Sequence, residues 1–223
     1  MVYNIAIDGP AGAGKSTIAK RVAKELSFIY VDTGAMYRAM ALYLLRQHAD
    51  IADPSEIAAV CQNADISIEY HDGEQIVLLN GENVNAFLRT EEVGNMASVS
   101  SPNPRVREKL LNLQRDLAAR QSVVMDGRDI GTTILPHADV KIYLTASSAT
   151  RARRRLRELE EKGIPCSLQE IQRDIEERDM RDMNREISPL RQAEDAVLID
   201  SSQMGIEEVV KAILQVYHAK VVE

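Results

Sequence analysis

Residues 2–26 read VYNIAIDGPAGAGKSTIAKRVAKEL, and the rest of the chain is interpreted outward from this stretch. Val2 to Ile7 has the apolar run of a short buried strand, and a helix is predicted from Lys15 to Leu26. Between them, Gly9-Pro10-Ala11-Gly12-Ala13-Gly14-Lys15-Ser16 fits the spacing GxxxxGK[ST]. Glycines let such a loop turn tightly with its N–H groups inward, and the following helix adds its own unpaired N–H groups and positive end. Lys15 can then reach outer phosphates, and Ser16 can offer an oxygen to magnesium. The predicted triphosphate-binding set is Gly9, Pro10, Ala11, Gly12, Ala13, Gly14, Lys15, Ser16 and Thr17. The plain alternative is a glycine turn with an ordinary surface lysine. The loop alone does not separate a kinase from a GTPase or a motor.

The surrounding pattern supports a strand–helix alternation. Phe28 to Val31 is a second strand, and a helix follows from Ala35 to Arg46. SVVMDG near 122–127, VKIYLTA at 140–146 and AVLID at 196–200 are further strands, with a closing helix at about 205–218. This predicts an α/β fold, a P-loop NTPase-like parallel sheet flanked by helices. The middle differs. After a helical piece from Pro54 to Gln62, turn signals at His71-Asp72-Gly73 and Asn80-Gly81 separate β-rich pieces. They predict a small β-containing insert at 63–90 within a core of 1–62 and 91–223. One extra hairpin at a sheet edge is the alternative.

Composition excludes several classes. The 223 residues are 45% hydrophobic and 27% charged, which rules out low-complexity disorder. No apolar run reaches the length of a membrane span, and the N-terminus lacks a secretory leader pattern. With two cysteines, Cys61 and Cys166, a reduced cytoplasmic protein is expected, without a disulfide scaffold. The net charge of −7 and aromatic content of 4% argue against a nucleic-acid partner. The four histidines have no metal-ligand spacing. The self-sufficient α/β pattern, without a coiled-coil repeat, predicts a monomer.

Arginines supply the second clue. Arg38 follows the second strand, in VDTGAMYRA, on a helix that Asp32 and Thr33 can cap. Arg128 and Asp129 follow Asp126 at the end of another strand. Asp126 can hold magnesium directly or through water, or cap a turn; Asp8, after the first strand, can contact the acceptor phosphate environment or a metal-bound water, or cap a turn. In ERDMRDMNRE, Arg178, Asp182 and Arg185 are spaced by four and three, so one helical face can hold all three. A salt-bridged exposed helix is the alternative. Arg151, Arg153, Arg154, Arg155 and Arg157 form a basic run, with Gly163 and Pro165 behind it. This predicts a helical lid at 151–168, with Arg154 and Arg157 as its ATP contacts because they can share a face. Between insert and core, Arg89, Ser98, Arg105 and Arg107 offer donors to a base or an acceptor phosphate; a plain connecting loop followed by a surface helix is the alternative.

The ordered set GPAGAGKS, VDTGAMYR, SSPNPRVRE, DGRDIG, ERDMRDMNR and SPL at 188–190 resembles the bacterial cytidylate kinase family, from residue 3 to about 217. The intact middle resembles the longer form with an enlarged monophosphate-binding insert. The resemblance implies transfer of the γ-phosphoryl group of ATP to CMP or dCMP, with magnesium. It implies that Thr33 lies near the acceptor nucleotide. Arg38, Arg128 and Arg185 match its phosphate ligands. Ser98, Arg107 and Asp129 match positions that read cytosine, while Arg178 and Asp182 match positions near the ribose and reacting phosphates. The implied catalytic group is Lys15, Arg128, Arg178 and Arg185. Another P-loop kinase, such as an adenylate or uridylate kinase, shares the loop and lid. A regulatory GTPase would offer NKxD after a strand, and the sequence has none.

Overall fold

The computed structural model describes residues 1–221; the end of the expected core, at 223, lies outside them. In chain order the elements are β1 (Asn4–Asp8), α1 (Lys15–Leu26), β2 (Ile29–Asp32), α2 (Thr33–Arg46), α3 (Pro54–Val60), a 3₁₀ turn (Cys61–Asn63), β3 (Ile66–His71), β4 (Glu74–Leu79) and β5 (Glu82–Asn83). Then follow α4 (Glu91–Ser100), α5 (Pro104–Arg120), β6 (Val123–Gly127), a π-helical turn (Ile130–Ile134), β7 (Val140–Thr145), α6 (Ser148–Glu161), α7 (Leu168–Asn184), β8 (Val197–Asp200) and α8 (Ile206–Val221). The chain divides into two compact units. One comprises residues 1, 3–28 and 124–223, and the other residues 2 and 29–123.

The first unit is built on strands in the order β6-β1-β7-β8. β1 and β7 run parallel, in a register that sets Asp8 opposite Tyr143, and β7 and β8 are parallel as well. Ile5, Ala6, Ile7, Val124, Met125, Ile142 and Leu144 are almost wholly buried, as expected when helices cover both faces of a parallel sheet. In α1, Lys15, Ile18, Ala19, Val22 and Ala23 form the inward stripe at helical spacing. The ring of Tyr217 in α8 meets Tyr3 and Phe28 edge-on. α6 and α7 form a hairpin around Ala152, Ile171 and Ile175, and Gly163 turns the chain between them at φ 69°.

The second unit centres on α2, whose Met36, Ala39, Met40, Ala41 and Leu44 are buried. Asp32 caps α2 by accepting from the Ala35 N–H at 2.8 Å. The antiparallel sheet β3-β4-β5 turns at Asp72-Gly73 and Asn80-Gly81, all four residues having positive φ, as such two-residue hairpins require. This sheet also steadies the start of α2. Gln75 accepts from the Asp32 N–H at 2.9 Å and donates to its carbonyl at 3.3 Å, and the Tyr70 hydroxyl donates to the Tyr30 carbonyl at 3.1 Å. The stretch from residue 91 to 100, for which a plain connecting loop is one of the two readings above, is the helix α4. Thr90 caps it, accepting from Val93 N–H, and Glu91 and Glu92 suit its positive end. Its buried stripe of Val93, Met96, Ala97 and Ser100 outweighs the poor helix propensity of Gly94.

Candidate functional site

The phosphate loop follows directly from β1 and leads into α1. Gly9 cannot carry a side chain, because a Cβ there would lie 2.0 Å from the Leu144 carbonyl oxygen. Gly14 sits at φ 85° as the residue before α1, a left-handed conformation that favours glycine. Lys15 is 6% exposed, and its Nζ donates to the Pro10 carbonyl at 2.8 Å. Burial, with Arg128 and Arg178 nearby, pushes its ammonium down to about 7, against the pull of Asp126 and Asp8. Ser16 Oγ donates to Asp126 Oδ2 at 3.0 Å, so the two residues predicted for magnesium stand together. Among the described residues, no three His, Cys, Asp or Glu side chains cluster as a metal site. A hydroxyl beside one carboxylate instead suits a magnesium ion that takes most of its ligands from phosphate and water.

Arg128 and Arg185 each face a carboxylate. Arg128 Nε pairs with Asp182 Oδ2 at 2.9 Å, so its terminal nitrogens are not needed to hold the carboxylate. Arg185 Nη2 lies 3.5 Å from Asp129 Oδ1, with both side chains under a tenth exposed. The prediction that Arg178, Asp182 and Arg185 share one helical face is corrected at its last member. α7 stops at Asn184, and Arg185 is extended at φ −64° and ψ 140°. The SPL segment accounts for this ending. The Leu190 N–H donates to the Asp182 carbonyl at 2.8 Å, and Arg185 Nε donates to the Ser188 carbonyl at 2.5 Å. Arg178 is half-buried on α7.

Asp8 is resolved as a clamp. Its oxygens accept from the Ile130 and Gly131 N–H groups, each at 2.7 Å, immediately after Asp129. Burial raises its carboxyl to about 6, partly offset by those two amides. In the helical hairpin, Arg154 donates to the Ser201 carbonyl at 2.7 Å and to its hydroxyl at 3.2 Å. One terminal nitrogen of Arg154 lies 4.0 Å from where a Cβ on Gly14 would stand. Arg157, three residues further along α6, is exposed.

The second unit contributes its own set. Thr33 is 3% exposed at the start of α2. Arg38, one turn later, pairs with Asp32 at 3.1 Å. Gly34 leaves room for that guanidinium, since a Cβ there would be 3.0 Å from Arg38 Nη1. Ser98 is half-buried on α4. Arg107 is buried on α5, with its guanidinium 5.7 Å from the centroid of the Tyr37 ring. Sequence reasoning missed Tyr37. Its place one residue before Arg38 was on the page, but nothing in the spacing tied it to α5.

A glycine loop closed by a buried lysine, beside a hydroxyl–carboxylate pair and paired arginines, is set here into an α/β fold with a parallel sheet. The family model described as "Cytidylate kinase" matches residues 5–219. A cytidylate kinase of Caldicellulosiruptor saccharolyticus is 49% identical over 96% of this chain and 95% of its own length. That of Desulfitobacterium hafniense is 50% identical over 97% and 93%. The protein therefore belongs to the cytidylate kinase family, a family of enzymes. Among solved structures, an uncharacterized protein from Eubacterium ventriosum covers 96% of both chains at a TM-score of 0.51 and 14% identity, a likeness of fold alone.

Proposed function

We propose that this protein transfers the γ-phosphoryl group of ATP to CMP and dCMP, giving CDP and dCDP. The observation that carries this reading is the arrangement at the phosphate loop: buried Lys15 within the electrostatic reach of Arg128 and Arg178, and Ser16 bonded to Asp126. The loop and its strand–helix setting support a P-loop NTPase-like fold. ATP would lie along residues 9–17, with Arg154 beside its path and Ser201 holding that arginine. Ser16 would hold magnesium directly and Asp126 through water, and the ion would supply positive charge against the phosphates.

No strong general base is needed, because the acceptor phosphate oxygen is already anionic. The task of the protein is positioning and charge compensation. Lys15 would leave the Pro10 carbonyl for the phosphates. Arg128, aligned through its Nε by Asp182 and with Nη1 3.4 Å from the Gly127 carbonyl, would turn its terminal nitrogens to phosphate. Arg178 and Arg185 complete the catalytic set. The family likeness assigns Thr33, Arg38, Ser98 and Arg107 to the acceptor nucleotide, and Asp129 would accept from the exocyclic amine of cytosine. Uracil carries a carbonyl in place of that amine, so UMP would set two acceptors against each other. We further propose a cytoplasmic monomer with no nucleic-acid or membrane partner. Among the described residues no helix is long and apolar enough to cross a membrane. Phosphorylation assays with ATP and separate CMP, dCMP and UMP test the reading; turnover with UMP as fast as with CMP would refute the role of Asp129.

A further inference from the structure

We infer that Arg151 is a positioning residue for the phosphate loop, holding the outward-turned carbonyl of Ala11 and, through Asp179, tying that loop to α7. The inference rests on the reading that this loop receives ATP. A loop whose N–H groups face an anion turns carbonyls the other way, and a covered carbonyl needs a donor. Pro10 and Ala11 each have one. The Pro10 carbonyl receives Lys15 at 2.8 Å, a partner that must leave when phosphate arrives. The Ala11 carbonyl receives Arg151 Nη1 at 2.8 Å.

That second donor is not available to phosphate, because the rest of the guanidinium is engaged. Arg151 Nε donates to the Ala146 carbonyl at 2.9 Å, and Nη2 meets Asp179 Oδ2 at 2.6 Å. The Arg151 side chain is 6% exposed and that of Asp179 14%. The other oxygen of Asp179 is buried without a hydrogen-bond partner, so its charge is directed at Arg151. The stem of Arg151 also packs on the loop. A Cβ on Gly12 would lie 3.5 Å from Arg151 Cβ and 3.9 Å from Ile175 Cδ1. A planar fork reaches three acceptors lying in different directions with fixed donors on three nitrogens, whereas the three donors of a lysine radiate from a single nitrogen. Within the basic run, Arg151 is thereby set apart from Arg153, Arg155 and Arg157. The first turn of α6 is fastened to the phosphate loop, so any lid motion must begin beyond it.

The test is calorimetric titration of Mg–ATP and, separately, of CMP into wild type, Arg151→Lys, Asp179→Asn and the double variant. Melting curves establish that each is folded. Each single variant should bind Mg–ATP about 10- to 100-fold more weakly, the loss expected for a charged hydrogen bond. CMP affinity should be unchanged, and the double variant should be little worse than the weaker single one, since both remove the same link. Arg173→Ala, on the exposed side of α7, should change neither affinity. Folded variants that bind Mg–ATP like wild type would overturn the inference, as would parallel losses of ATP and CMP binding, the mark of a general packing defect. Should Arg151→Lys not fold, Asp179→Asn decides by the same criteria. Failure of wild type itself to bind Mg–ATP would refute the kinase reading instead.

Discussion

Replacing Asp8 by asparagine separates folding energy from site geometry. Asp8 is 4% exposed and uses both oxygens, each at 2.7 Å, on the N–H groups of Ile130 and Gly131. Asparagine keeps one acceptor and turns an NH₂ group toward the other N–H. A buried unpaired amide costs about 1–3 kcal/mol. Against this, burial has raised the Asp8 carboxyl from 3.8 to about 6. At about 1.4 kcal/mol per pK unit, ionising it at neutral pH costs about 3 kcal/mol, which the neutral amide does not incur. The two effects nearly cancel, so stability at pH 7 should change by less than about 2 kcal/mol. The sign with pH is definite. A carboxyl whose folded pKa lies above its unfolded one binds more protons when folded, so its contribution to stability falls as pH rises from about 4 to 6. The variant lacks this descent and should gain on wild type across that window, as read by urea melts at pH 4 and pH 7. The turn that carries Asp129 loses one of its two ties, so the preference for CMP over UMP should fall about tenfold while KM for ATP holds. Unchanged selectivity, together with a stability loss equal at both pH values, would refute the clamp.

Three other outcomes follow from the same geometry. Asp129→Ala should lose CMP preference far more than ATP binding, as side-by-side CMP and UMP kinetics would reveal. Arg185→Ala should lower kcat by about 100-fold or more with ATP affinity largely kept; wild-type turnover would remove it from the catalytic set. Because the Lys15 ammonium is held down to about 7 in the ligand-free protein, phosphate should restore it. ATP binding at pH 8 should therefore take up protons, measured by calorimetry in buffers of different ionisation enthalpy, and Lys15→Met should abolish most of that uptake.

The parallel sheet was legible because its strands are short apolar runs placed between helices, and the glycine loop because its spacing stands between a strand and a helix. The pairing of Ser16 with Asp126 was readable as two candidate magnesium residues, though not as one hydrogen bond across 110 positions. Contacts made by tertiary packing were hidden. α4 was obscured by Gly94 and by serines that mimic a loop. The end of α7 depends on Leu190 donating back to Asp182, a backbone bond that no periodicity encodes. Likewise, five arginines in one basic run look interchangeable in sequence. Packing against Gly12 distinguishes Arg151, and hydrogen bonds to Ser201 distinguish Arg154.

The most direct test of the whole account is initial-rate phosphorylation by Mg–ATP across CMP, dCMP, UMP, AMP and GMP at equal concentration. Rapid turnover of CMP and dCMP, slow turnover of UMP and negligible turnover of the purine nucleotides is the predicted result. AMP or UMP phosphorylated faster than CMP would contradict it.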